Sequence, residues 1–162
     1  MKTPLGLSLS QEVPPKVEKS CPQDRLCEGN CVIEKGFESV TIGAVEKYVT
    51  ETAFDEGWVE PIKVNAEREQ SVGIIGAGPA GLAAADLLRR KGYQVVVYDR
   101  YDRVGGLMVY GIPGFKLEKD IVERRAELLE KGGIKFELNC EIGRDVTFDE
   151  LRARHNAVLI AT

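Results

Sequence analysis

SVGIIGAGPAGLAAADLLRRKGYQVVVYDR, residues 71–100, decides the fold. Val72, Ile74 and Ile75 form a short apolar run suited to a buried parallel strand. Gly76, Gly78 and Gly81 follow as G-x-G-x-x-G at the turn into a helix. The first glycine permits the tight turn. The second lets a pyrophosphate approach the backbone, and the third lets helix and strand pack closely. Pro79 suits the first helical turn, where its missing N–H costs nothing. Leu82, Ala83, Ala84, Ala85, Leu87 and Leu88 give the helix its apolar body, Arg89, Arg90 and Lys91 suit its negative end, and Gly92 is a stop. A second strand runs through Val95, Val96, Val97 and Tyr98 to Asp99, where a carboxylate would accept ribose hydroxyls of a dinucleotide. An acid there favours a free 2′-hydroxyl, hence FAD or NAD over NADP.

The pattern continues outward as a doubly wound α/β domain. Four parallel strands are expected at 71–76, 94–99, 134–138 and 156–161, the last as a buried strand, with the first strand central and the last beside it. An amphipathic helix spans Leu117–Gly132, with Ile121, Val122, Ala126, Leu128 and Leu129 inward. Thr147-Phe-Asp-Glu150 is a capping box opening a short helix through about Arg154. His155, the only histidine, falls at that helix's end and reads as a cap or surface residue. Gly105 and Gly106, followed by a long loop with apolar residues, would let backbone approach a flat ligand or a phosphate. Cys140 reads as an inert small apolar residue.

Upstream the character changes. Residues 1–20 hold Pro4, Pro14 and Pro15 among polar residues and read as an extended or disordered lead-in. Residues 21–60 form a short helical segment containing cysteines, and 61–70 a polar linker into a nucleotide domain at 71–162. Cys21, Cys27 and Cys31 are spaced C-x5-C-x3-C, with Gly29 and Asn30 allowing a sharp turn between them. Soft metals favour thiolates, so an iron–sulfur cluster or zinc is one reading; free buried thiols or a disulfide are the others. Ile42, Val45, Val49, Ala53 and Phe54 recur at helical spacing up to Gly57, and most of that helix reads as packing surface.

The 162 residues are 43% apolar and 30% charged, with a net charge of −4. No basic stripe with interleaved aromatics points to nucleic acid, and no window approaches the ~18 apolar residues of a membrane helix. A cytoplasmic protein is expected, without a membrane or nucleic-acid partner.

The segments CPQDRLCEGNCVIE, VTIGAVEKY, GIIGAGPAGL, VGGLMVYGIP and VLIAT together resemble the small (beta) subunit of NADPH-dependent glutamate synthase. The N-terminal half of dihydropyrimidine dehydrogenase is a related architecture. The resemblance covers about residue 20 onward. It implies FAD, with Gly76, Ala77, Gly78, Pro79, Ala80 and Gly81 at the pyrophosphate and Asp99 at the adenosine ribose. It also implies that Arg100 to Leu107 run along the cofactor, with Gly105 and Gly106 near the flavin. Lys116 would be a basic contact, and the Ile142 backbone would meet the adenine. Cys21 and Cys27, with Glu46 as a non-thiolate ligand, match one 4Fe-4S cluster, and Cys31 matches a ligand of a second. The family's further cysteines lie upstream, and residues 1–20 hold none, so the ligand sets are incomplete. The NADPH-binding domain would lie beyond Thr162, so this chain is expected to be a fragment, inactive alone, of a protein that pairs with a large subunit. Two other readings stay open: a non-catalytic electron-relay or docking module, and an NAD-binding Rossmann domain.

Overall fold

Strand formation by the two apolar runs flanking the glycine turn sets the architecture. The computed structural model describes residues 22–33 and 36–162, which divide into two compact units. One comprises residues 61–113 and 122–162, the other the described part of 1–60 with 114–121.

In the larger unit, β1 (Ser71–Ile75), β2 (Gln94–Tyr98), β3 (Lys135–Glu137) and β4 (Ala157–Ile160) form one parallel sheet in the order β3-β2-β1-β4. The first strand is internal and the last is its neighbour, as the crossover rule requires. Ser71 stands opposite Gln94 and Ile75 opposite Tyr98. Helix α2 (Pro79–Arg90) crosses from β1 to β2. Its Leu82 and Ala85 join Val72, Ile74, Val95, Val97, Leu129 and Ile134 in the core. Ile74, Ala85 and Val97 are fully buried, the yield of apolar side chains at both strand and helix periods converging on one layer. Helix α3 (Leu107–Tyr110) is a single turn inside the stretch expected to be loop. Helix α4 (Lys119–Lys131) starts two residues later than the amphipathic pattern, and α5 (Phe148–Arg154) carries the expected capping box between Thr147 and Glu150.

One expectation is corrected. The strand at 157–160 is not buried: among the described residues β4 pairs with β1 alone, at a sheet edge, with Leu159 39% and Ile160 64% exposed. An apolar composition specifies a strand without specifying what covers it.

Residues 61–70 are held against this unit by polar contacts that hydropathy does not reveal. The Arg89 guanidinium donates to the Gly132 and Tyr93 carbonyls and pairs with Glu67, whose carboxyl it holds below its ordinary range. Arg68 donates to the Lys91 carbonyl and lies over the Tyr93 ring.

His155 is half-buried rather than a simple surface residue. Its Nε2 is 2.9 Å from the Tyr98 hydroxyl, its Nδ1 is 3.2 Å from Ser71 Oγ, and Gly73 leaves room beneath the ring. Burial, with Arg154 beside it, holds its pKa below the ordinary 6.5. The unfolded chain therefore binds this proton more readily. The stability His155 contributes is complete above pH 6.5 and declines as pH falls through 6.5 toward the lowered folded-state value. Melting temperatures between pH 7.5 and 5.5 are expected to slope downward in the parent chain and to lose that slope in His155→Gln. Equal slopes in the two proteins contradict this role.

In the smaller unit, a 3-10 turn at Gln23–Arg25 precedes α1 (Ile42–Asp55), which ends before Gly57 at a φ of 68°. The Gly43 N–H donates to Glu28 Oε1 at 3.1 Å, and the Gln23 side chain occupies the place a Cβ at Gly43 would take. Ala53 is buried, whereas Val45 and Tyr48 are exposed.

Candidate functional site

The three glycines of the 76–81 turn meet different demands. Gly76 has a φ of 108°, and a Cβ on it would lie 2.6 Å from the Ala161 carbonyl oxygen. Gly81 packs so closely that a Cβ would fall well inside contact distance of the Gly76 carbonyl oxygen. Gly78 differs from both: its φ of −77° suits any residue, and a Cβ there would meet nothing within 4 Å among the described residues. Open space faces Gly78, at the N-cap of α2. The N–H groups of Ala80 and Gly81, in the first turn, have no carbonyl a turn earlier to bond, and Pro79 has no N–H to leave unmet. Such a terminus carries partial positive charge and exposed donors, which suits an anion.

Asp99 follows β2 and is 9% exposed. Its Oδ2 accepts from the Ala77 N–H at 2.6 Å, and its Oδ1 from the Tyr101 N–H at 2.9 Å. Ala77 is fully buried, and its carbonyl accepts from the Gly105 N–H at 2.8 Å. Gly105 and Gly106 both have positive φ, and a Cβ on Gly106 would lie 2.9 Å from Gly78 Cα. The glycine pair therefore packs on the turn itself. Arg100 and Leu107 are exposed, Leu107 at 73%. Ile142 is half-buried and bridges to Val146. Lys116 is exposed and belongs to the smaller unit.

Sequence reasoning missed the side chains that shape the loop after Asp99. The rings of Tyr101 and Tyr110 lie 4.7 Å apart, with Arg100 over the first and Arg103 over the second. The Tyr110 hydroxyl donates to Asp102, holding that carboxyl below its ordinary range, and accepts from the Arg103 N–H. Two tyrosines nine residues apart carry no periodic signal. Only the length and apolar content of the loop hinted that it packs.

The cysteine residues present a different picture. Cys21 lies outside the described residues. Cys27 is exposed, Cys31 is half-buried, and Glu46 is exposed on α1, its carbonyl accepting from Thr50 Oγ1. Among the described residues no three His, Cys, Asp or Glu side chains are gathered to hold a metal ion. The donors described here do not by themselves fit a cluster. Cys140 is half-buried, and burial pushes its thiol up, which suits an unreactive role. No helix among the described residues is long and apolar enough to cross a membrane.

The parallel sheet, the glycine turn and the acid after β2 define a Rossmann-like nucleotide-binding domain, here preceded by a cysteine-bearing helical segment. Two family profiles match it in those places: the NAD(P)-binding Rossmann-like domain over residues 74–132, and dihydropyrimidine dehydrogenase domain II, 4Fe-4S cluster, over residues 7–58. The chain is homologous to glutamate synthase [NADPH] small chains. It is 64% identical to that of Azospirillum brasilense over 143 residues and 49% identical to that of Escherichia coli K12 over 140. These matches cover 88% and 86% of this chain but 30% of each relative, so the chain spans about a third of their length. Among solved structures, Mycobacterium tuberculosis FprA in complex with NADPH superposes with a TM-score of 0.53 at 24% identity. That match covers 59% of this chain and 23% of FprA, a likeness of fold.

Proposed function

We propose that this chain is the FAD-binding and iron–sulfur-associated portion of a glutamate synthase small-chain-like oxidoreductase. Such a protein passes electrons from NADPH through FAD to iron–sulfur clusters and on to a large subunit. The observation that carries the reading is the open space facing Gly78 at a helix N-terminus, with Asp99 buried beneath the same turn. The homology to glutamate synthase small chains and the 4Fe-4S profile over residues 7–58 support the rest.

FAD, when bound, accepts a hydride and releases electrons singly. The chain's own part is to hold and orient it. Gly78, Ala80 and Gly81 would present N–H groups to the pyrophosphate, and Gly76 and Gly81 would let the turn sit tightly on β1 and β4. Asp99 would lie at the adenosine ribose, the Ile142 backbone at the adenine, and Gly105, Gly106 and Leu107 along the flavin half. Arg100 would supply positive charge toward the cofactor, and a role for Lys116 rests on the family resemblance alone. Cys21, Cys27 and Glu46 would contribute to one cluster and Cys31 to a second, with the remaining ligands supplied by other sequence. The cytoplasm is the compartment that reduced thiols of this kind suit.

The test is an absorption spectrum of the purified chain, before and after adding FAD, with iron and acid-labile sulfide measured anaerobically. Flavin bands near stoichiometry support the reading. Iron without flavin retention favours a relay or docking module. Neither, with NAD binding by titration, favours a plain NAD-binding domain.

A further inference from the structure

We propose that Tyr110 is a positioning residue, whose hydroxyl closes the 102–110 loop into a strap that presents Gly105, Gly106 and Leu107 to the flavin half of FAD. This role rests on the FAD reading of the glycine turn. Asp102 and Tyr110 stand eight residues apart, at the two ends of the loop. The Tyr110 hydroxyl joins those ends twice, donating to Asp102 Oδ1 and accepting from the Arg103 N–H at 3.1 Å. Burial and the bond to Asp102 push the phenol above its ordinary pKa, so it keeps the proton it donates. The Tyr101 and Tyr110 rings, 4.7 Å apart, close the same neck with apolar area. A surface loop whose ends meet through its own side chains is a compact unit rather than a loose excursion.

The tip of the strap is the Gly105–Gly106 pair, and it bears on the phosphate turn. The Gly105 N–H donates to the Ala77 carbonyl at 2.8 Å, and a Cβ on Gly106 would lie 2.9 Å from Gly78 Cα. Val109 is buried and Met108 packs against the core, whereas Leu107 stays bare beside the tip. A bare leucine next to an anion-binding turn is a surface that a flat apolar ring system would cover. The neck is fixed in turn to the end of β2. The Tyr101 N–H donates to Asp99 Oδ1, and the Tyr101 carbonyl accepts from the Asn139 N–H at 3.0 Å. Through Tyr110, the far half of the strap shares that anchor.

Two adjacent glycines at positive φ, 128° and 53°, are the freest main chain a loop can carry. A ligand that had to order this tip on arrival would bind more weakly by the entropy lost; a loop closed beforehand removes that loss. Phenylalanine at 110 keeps the ring pair and removes only the hydroxyl. Tyr110 is 40% exposed, so water replaces the two lost bonds and the fold is spared.

The experiment uses the full chain with Tyr110→Phe, Asp102→Ala, the double variant, and Asp102→Asn, which keeps an acceptor oxygen. Affinities for FAD and ADP are measured by calorimetry, and amide hydrogen exchange is read without ligand. Tyr110→Phe is expected to keep the parent melting temperature and to weaken FAD about tenfold, while ADP, which lacks the flavin half, changes less than about twofold. Exchange is expected to accelerate at Arg103 and also at Gly105, whose partner is Ala77 rather than Tyr110. Asp102→Ala is expected to show a similar loss, the double variant to lose no more than Tyr110→Phe alone, and Asp102→Asn to keep most of the affinity. The proposal is overturned if Tyr110→Phe leaves FAD affinity or Gly105 exchange at the parent value, if ADP weakens as much as FAD, or if the two single losses add. Each of those results leaves the dinucleotide reading standing so long as the parent chain binds FAD. A parent chain that binds no FAD overturns both.

Discussion

Gly78→Val is expected to fold with an unchanged melting temperature and to lose FAD binding by about a hundredfold or more, ~2.8 kcal/mol. The two halves of that result come from the same geometry. Gly78 has an extended backbone at φ −77° and ψ −177°, which a β-branched residue adopts without strain. Its Cβ would enter open space, so the unliganded protein meets no clash. The added side chain would instead occupy the volume through which phosphate reaches the α2 N-terminus. Thermal denaturation and flavin titration of the one variant read both halves. Retained affinity would mean that the open space at Gly78 is not the phosphate cradle.

Gly81→Ala is expected to do the reverse, damaging the fold before any ligand is considered. Its Cβ would collide with the Gly76 carbonyl oxygen, with Ile74 Cγ2 3.5 Å away. The obstacle is backbone, so relief requires α2 to move off β1, out of the layer where Ile74, Leu82 and Ala85 interlock. Alanine is the better helix former by ~1 kcal/mol. Overpacking on this scale costs more, and a net loss of about 2 kcal/mol is expected. That corresponds to roughly 4–8 °C in Tm. An unchanged Tm would show that the helix start has slack the geometry denies.

These two glycines also show what could be read in advance. Their spacing announces a turn between a strand and a helix, and four apolar runs at suitable intervals give a doubly wound sheet with β1 inside. Local pattern suffices there because each signal, a positive φ, a capping box or a period, lies within a few residues. It fails where the partner is distant in sequence. Nothing in the sequence says that Asp99 grips Ala77, that Arg89 reaches Gly132, or that His155 meets Ser71 and Tyr98. Helix α3 escaped because four residues are too few to show a period, and its Tyr110 is held by Asp102 and Tyr101 rather than by an apolar face. The cysteines were legible as a group, but their chemistry depends on which side chains converge. Among the described residues no three such donors converge, Cys27, Cys31 and Glu46 included.

The open flank of β4 has a practical consequence. Among the described residues β4 pairs on one side only, with Ile160 largely bare, so its outer rim presents main-chain donors and acceptors to an extended segment that arrives. In concentrated solution the readiest such segment is the same strand of another molecule. Self-association through that rim would grow with protein concentration and would lessen when a lysine replaces Ile160.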